Sequence, residues 1–120
     1  MKLVLIEDNA DLALTMRALL ELRGYQVECY LNGQDFLRQV DRLGENDVVI
    51  TDYYLPDLNG IDLLKQARAK RPGIKAILLT GSREEGIVRA ARDLADCKLE
   101  FKPLDYEMLD RRIREVRAQR

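Results

Sequence analysis

The stretch Val48-Val49-Ile50-Thr51-Asp52-Tyr53-Tyr54-Leu55-Pro56-Asp57-Leu58-Asn59-Gly60 joins an apolar run to a helical pattern through a single carboxylate. Val48 to Thr51 is β-branched throughout and does not alternate with polar residues, which predicts a strand buried on both faces. The run ends at Asp52. Pro56 and Gly60 punctuate the loop beyond it, and Gly60 opens the next helix. In open α/β sheets, ligands and chemistry collect outside the carboxyl ends of the strands. Asp52 occupies that place by sequence order alone.

The same alternation of apolar run and helical period extends in both directions. Upstream, Leu3 to Ile6 reads as a strand. A helix follows from a cap at Asn9 to a stop at Gly24, with Leu12, Met16, Leu19 and Leu20 on its face. Tyr25 to Tyr30 is a second strand whose polar interruptions suggest a sheet edge, and Asn32 can cap a helix with the face Phe36, Val40, Leu43. Downstream, the helix opened by Gly60 turns Ile61, Leu64 and Ala67 inward and is closed by Pro72. Ile74 to Leu79 is the fourth strand. Ser82-Arg83-Glu84-Glu85 has the form of a capping box for a helix burying Ile87, Ala90, Ala91 and Leu94. Leu99 to Phe101 is a short fifth strand, and Asp105 caps a last helix with Leu109, Ile113 and Val116 inward. Five βα units in series predict an α/β fold: a doubly wound five-stranded parallel sheet with five helices and right-handed crossovers. A sheet of this size usually takes the order 2-1-3-4-5, with its crevice between strands one and three.

Composition narrows the function classes. With 120 residues, 47% hydrophobic and 34% charged, the chain reads as one soluble domain spanning 1–120. A net charge of −1 provides no field to recruit nucleic acid or an anionic membrane. The apolar runs are far below the roughly 20 residues needed to span a bilayer, and Met1-Lys2-Leu3-Val4-Leu5-Ile6-Glu7 becomes acidic too soon for a signal peptide. A cytoplasmic location is expected. Cys29 and Cys97 are not closely spaced and read as reduced thiols. Histidine is absent, which excludes a Ser-His-Asp or Cys-His apparatus and a His-ligated metal. A metal here must be held by oxygen, so it must be a hard cation such as Mg²⁺, Mn²⁺ or Ca²⁺.

The predicted topology brings Glu7 and Asp8, after strand one, to the same crevice as Asp52, after strand three. Three carboxylates in one place repel, and a divalent cation removes the penalty. Thr80 ends strand four and Lys102 follows strand five, adding a hydroxyl and an ammonium to the rim. This is the set that phosphoryl transfer to a carboxylate requires. Asp52 supplies the attacking oxygen, a cation neutralises charge, and Lys102 and Thr80 contact the remaining phosphoryl oxygens. No base is needed, because a carboxylate is already ionised.

On the motifs Leu5-Ile6-Glu7-Asp8-Asn9, Asp52-Tyr53-Tyr54-Leu55-Pro56-Asp57-Leu58-Asn59-Gly60, Leu79-Thr80-Gly81 and Phe101-Lys102-Pro103, the chain resembles the receiver domain of two-component response regulators over essentially its whole length. The resemblance implies the flavodoxin-like receiver fold and phosphorylation of Asp52 by a histidine kinase or histidine phosphotransfer protein. It implies Mg²⁺ (or Mn²⁺) on Glu7, Asp8, Asp52 and the main-chain carbonyl of Tyr54. It also implies slow autodephosphorylation by water, so the domain is a self-hydrolysing acceptor and not a conventional enzyme. Output is expected through an effector domain beyond Arg120 or a separate target protein, with or without oligomerisation on phosphorylation. The alternative is a pseudo-receiver, an interaction module that is never phosphorylated.

Two rivals fit less well. A flavodoxin-like cofactor domain would need a phosphate-cradling loop where Glu7 and Asp8 stand, and a haloacid dehalogenase-type phosphatase expects an Asp-x-Asp pair after its first strand.

The chain departs from the family pattern at the switch. The family couples Thr80 to an aromatic residue three positions before the lysine, and here that residue is Leu99. Activation is therefore expected to move the loop after strand four and the start of the Gly86-containing helix, with little rotamer signal at Leu99. Phe101 is read as facing away from Leu99. The last helix resembles that of winged-helix transcriptional regulators. Val88, Leu94, Lys98 and Met108 stand where dimer-forming charges are usual, and Arg112 is expected to lack acidic partners. A more apolar partner, or none, is expected on that face. Tyr54 is large enough to shield a phosphoryl group from water. Arg111, Arg112, Arg114, Arg117 and Arg120 read as a solvated basic face complementing the helix dipole, with no nucleic-acid contact expected.

Overall fold

In the computed structural model, which describes Met1–Ala118, five parallel strands form one sheet in the order β2-β1-β3-β4-β5. The strands are β1 (Lys2–Ile6), β2 (Gln26–Tyr30), β3 (Val48–Asp52), β4 (Lys75–Thr80) and β5 (Cys97–Phe101). The helices are α1 (Ala10–Leu22), α2 (Gly33–Arg38), α3 (Gly60–Lys70), α4 (Glu85–Asp93) and α5 (Tyr106–Ala118), with a 3₁₀ turn at Val40–Arg42. Arg120 lies outside the described residues.

The two-residue period of the strands sorts the core into two layers. Leu3, Leu5, Val48 and Ile50 face Met16, Leu20, Leu109, Ile113 and Val116 of α1 and α5. Val4, Ile6 and Val49 face Phe36, Leu37, Leu63, Leu64 and Ala67 of α2 and α3. The apolar residues of β3 are wholly buried, as a central strand covered on both sides must be. Each such side chain contributes about 1.5–3 kcal/mol relative to exposure. Asparagine starts the first three helices: Asn9 accepts from the Leu12 amide, Asn32 from Asp35 and Asn59 from Asp62, at 2.8–3.1 Å. Asp105 caps α5 by accepting from Glu107 and Met108.

Several local expectations are corrected. Ser82 does not cap α4: its hydroxyl accepts from Glu84 and its amide donates to Thr80 Oγ1 (3.0 Å). The Thr80 hydroxyl thus competes for the turn, and the helix starts only at Glu85, behind Glu84, which makes no side-chain cap. Leu19 is exposed, because α1 carries apolar residues almost all round and only Ala13, Met16 and Leu20 are buried. Helix α2 gives way to the 3₁₀ turn before Val40, and Leu43 follows it. Strand β5 begins two residues early, at Cys97, and Leu99 and Phe101, two apart on it, share a face. Arg112 has acidic partners: Nε meets Glu100 at 2.7 Å and its guanidinium meets Glu115 at 2.5 Å.

Candidate functional site

Parallel pairing of β1 with β3, Leu5 opposite Ile50 and Ile6 opposite Thr51, brings the two strand ends level. Glu7, Asp8 and Asp52 therefore meet, each offering a carboxylate oxygen within 4.8 Å of the others. Glu7 is 2% and Asp52 7% exposed, whereas Asp8 reaches solvent. The second Glu7 oxygen accepts from the Asn9 amide at 3.0 Å, which pins that side chain at the start of α1. A hydrogen bond with Glu7 pushes the Asp8 carboxyl above its ordinary value, and burial adds to this. Three convergent oxygen donors without nitrogen or sulfur suit a hard divalent cation. The donor set fits Mg²⁺.

Lys102 closes the site. Its amide donates to the Thr80 carbonyl at 2.9 Å, which docks the β5–α5 loop against the end of β4. Its Nζ reaches Asp52 Oδ1 at 2.7 Å and Glu7 Oε1 at 3.4 Å. Burial pulls this ammonium down, but its bonds to Asp52 and Glu7 outweigh that and leave it above its ordinary value. Thr80 is 1% exposed, and its hydroxyl accepts from the Ser82 amide instead of meeting the acids.

The β3–α3 loop is built around glycine. A Cβ on Gly60 would run into the Asp52 carbonyl and come within 2.7 Å of Leu78 Cδ1. Gly60 donates to the Tyr53 carbonyl at 2.7 Å, and Tyr54 bridges to Asn59. Because the bridging bond uses Tyr53, the Tyr54 carbonyl is not spent on it. The Tyr54 ring is 60% exposed and packs edge-on against Tyr53, 4.8 Å between centroids.

Of the residues singled out from the sequence, Glu7, Asp8, Asp52 and Lys102 come together. Thr80 stands on the same rim. Leu99 does not belong to the cluster; it pairs in register with Leu78 and packs against the group formed by Ile61, Leu78 and Ala91. Beyond it, the Arg83 guanidinium sits 4.0 Å over the Phe101 ring and ties the β4–α4 loop to β5. The face around it is basic as well as apolar, with a groove lined by Arg92, Lys98, Leu99, Phe101 and Arg112. Two contributors escape a sequence reading. Asp57 accepts from the Gly33 and Gln34 amides, and Asp110, 5% exposed, gathers Tyr25, Arg23 and Arg114. The Asp57 contacts and the bonds of Asp110 to Tyr25 and Arg23 join segments too far apart in the chain for any local pattern to signal them; only Arg114, one turn on from Asp110, is a local partner.

The chain is similar to known proteins. The family described as "Response regulator receiver domain" matches residues 3–114. The chain is 33% identical over 107 residues to the Sensor kinase CckA of Brucella abortus (strain 2308), covering 88% of this chain and 11% of that protein. It is 34% identical over 84 residues to the Transcriptional regulatory protein CpxR homolog of Haemophilus influenzae, covering 70% of this chain and 36% of that protein. The chain thus matches only a minor part of the length of these curated relatives. Among solved structures, the Vibrio cholerae chemotaxis protein CheY4 superposes with a TM-score of 0.85 at 20% identity, covering 96% of this chain and 97% of that one. The receiver domain from the hybrid histidine kinase CckA gives 0.81 at 23% identity, covering 98% and 100%. At these identities the structural likeness establishes the fold.

Proposed function

This chain belongs to the response regulator receiver family, and from that premise we propose that Asp52 accepts a phosphoryl group from a histidine kinase or histidine phosphotransfer protein. The observation that carries the reading is the convergence of Glu7, Asp8 and Asp52 with the Lys102 ammonium seated on Asp52. Glu7, Asp8, Asp52 and the Tyr54 carbonyl would hold Mg²⁺ (or Mn²⁺), which supplies neutralisation of the charge shared between acceptor and phosphoryl group.

The chain's own residues do the rest. An Asp52 carboxylate oxygen attacks phosphorus, forming an O–P bond. The N–P bond of the donor phosphohistidine breaks, and the imidazole leaves with the electron pair and takes up a proton. Lys102 Nζ moves from the carboxylate to a phosphoryl oxygen, and the Thr80 hydroxyl leaves the Ser82 amide to donate to another. Water attacking phosphorus later breaks the O–P bond, releasing inorganic phosphate and restoring the carboxylate. Tyr54, beside Asp52, shields that path and slows it.

Output begins at Thr80. Its hydroxyl anchors the Ser82 amide, so withdrawing it frees residues 81–84, lifts Arg83 from Phe101 and shifts the start of α4, where Gly86 weakens the helix by roughly 1 kcal/mol relative to Ala. Leu99, with no hydroxyl, reports little of this. The signal passes to an effector domain or a separate target protein, with or without oligomerisation on phosphorylation. We assign the whole of 1–120 to the receiver unit and a cytoplasmic site of action; no helix among the described residues is long and apolar enough to cross a membrane.

Incubation with a small-molecule phosphodonor, with and without Mg²⁺, tests the reading by intact mass. A gain of one phosphoryl group that needs Mg²⁺ and vanishes in Asp52→Ala is expected. No gain in the wild type makes the chain a binding module instead.

A further inference from the structure

The Tyr54 carbonyl lies in the loop between β3 and α3, and a ligand supplied by a loop is only as well placed as the loop. The geometry points to Asp57 as the positioning residue for that carbonyl, an inference that rests on the metal-dependent acceptor reading above.

Asp57 is exposed in the middle of the loop, yet its carboxylate makes two bonds to the main chain of another element. Oδ1 accepts from the Gly33 amide at 3.0 Å and Oδ2 from the Gln34 amide at 2.8 Å, across 24 and 23 residues of sequence. With Asn32 taking the Asp35 amide, three of the free N–H groups that open α2 are satisfied, two of them by the loop. Burial raises the Asp57 carboxyl, but those amides outweigh it and hold it below its ordinary value.

A second contact fixes the same approach. A Cβ on Gly33 would collide with Leu58 Cδ2 and come within 3.2 Å of Leu63 Cδ1. Leu55 and Leu58 pack on the cluster containing Phe36 and Leu37 of α2. The far limb of the loop is therefore clamped to α2, while its near limb is held by the Tyr53 amide on the Leu79 carbonyl (2.8 Å) and by Gly60 on the Tyr53 carbonyl. Tyr54 lies between the two anchors. Its side chain is largely exposed, whereas its main chain is held from both sides. Releasing the Asp57 anchor would loosen the loop and leave a bound cation with the three carboxylates but a poorly placed fourth, carbonyl donor. Supports of metal ligands typically contribute 10–100-fold in affinity.

The test is calorimetric titration of the full chain with Mn²⁺, set beside thermal unfolding of each metal-free protein. Asp57→Ala should weaken Mn²⁺ binding about tenfold. Asp57→Asn, with one acceptor oxygen in place of two, should fall between it and the wild type. Asn32→Ala disturbs the same helix end without touching the loop, so it should lower the unfolding temperature and leave Mn²⁺ affinity unchanged. Wild-type affinity in Asp57→Ala, or an equal loss in Asn32→Ala, overturns the inference and leaves the acceptor reading standing. A wild type that takes up no Mn²⁺ overturns both. If Asp57→Ala fails to fold, Asp57→Asn decides the matter, and unchanged affinity in it overturns the assignment.

Discussion

Replacing Lys102 by methionine removes the ammonium from the centre of the site while keeping most of the apolar stem. Glu7 and Asp52, both nearly buried, are then left facing each other with Asp8 beside them and no cation. At an effective dielectric of about 20, contacts of 2.7 Å and 3.4 Å are each worth several kcal/mol in Coulomb terms. Deleting one partner of a buried pair typically costs about 3–5 kcal/mol. Lys102 keeps 30% of its side chain in solvent, which screens the pair and brings the expected loss to about 2–3 kcal/mol. With an unfolding entropy of about 2.1 cal/mol/K per residue, that loss lowers Tm by roughly 8–12 °C. The ammonium sits above its ordinary value when folded, so its contribution is complete below the unfolded value of 10.5 and disappears as pH rises through the folded one. The deficit should therefore hold steady through neutral pH and shrink in strong alkali.

Circular dichroism melts with a chelator and with saturating Mg²⁺ provide the assay. Mg²⁺ should restore most of the deficit, raising the Tm of Lys102→Met more than that of the wild type. A variant as stable as the wild type in chelator, or a deficit that Mg²⁺ leaves untouched, refutes the electrostatic account of the site.

Other substitutions probe separate parts. Gly60→Ala forces a Cβ onto the Asp52 carbonyl and should cost about 1–3 kcal/mol by overpacking, with slower phosphorylation; unchanged melts and rates would show that the loop yields freely. Tyr54→Ala should speed release of phosphate from the phosphorylated protein, read by the decay of its mass peak, and an unchanged lifetime argues against shielding. Burial pushes the Cys97 thiol up to about 11, so its thiolate fraction at pH 8 is about one in a thousand. Native alkylation of Cys97 should run about two orders of magnitude slower than that of an unperturbed thiol; rapid labelling would contradict its packing.

The strand order and the main cluster were legible because they depend on strong, local signals. Unbroken apolar runs marked the buried strands, and a parallel sheet of this size leaves few places for the ends of β1 and β3. Sequence order alone therefore brings Glu7, Asp8 and Asp52 together. Where the sequence misled, a tertiary contact or an ambiguous period was responsible. Leu19 sits on a helix that is apolar nearly all round, so no face could be read from it. Ser82 fits a capping box, but the Thr80 hydroxyl claims its amide. Arg112 pairs with Glu100 from a different element and with Glu115 one turn on. The expectation that Phe101 faces away from Leu99 runs against the strand's own two-residue period, which puts both on one face, with Phe101 under Arg83. Asp57 reads as one more loop acid until α2 is folded against it.

The central claim is that the phosphoryl group resides on Asp52. An acyl phosphate is reduced by borohydride, which converts a phosphorylated aspartate to homoserine, and peptide mapping then locates it. After incubation with phosphodonor and Mg²⁺, homoserine is predicted at position 52 and at no other. Homoserine at position 8 with Asp52 intact, or labelling that persists when Mg²⁺ is chelated, would contradict the account.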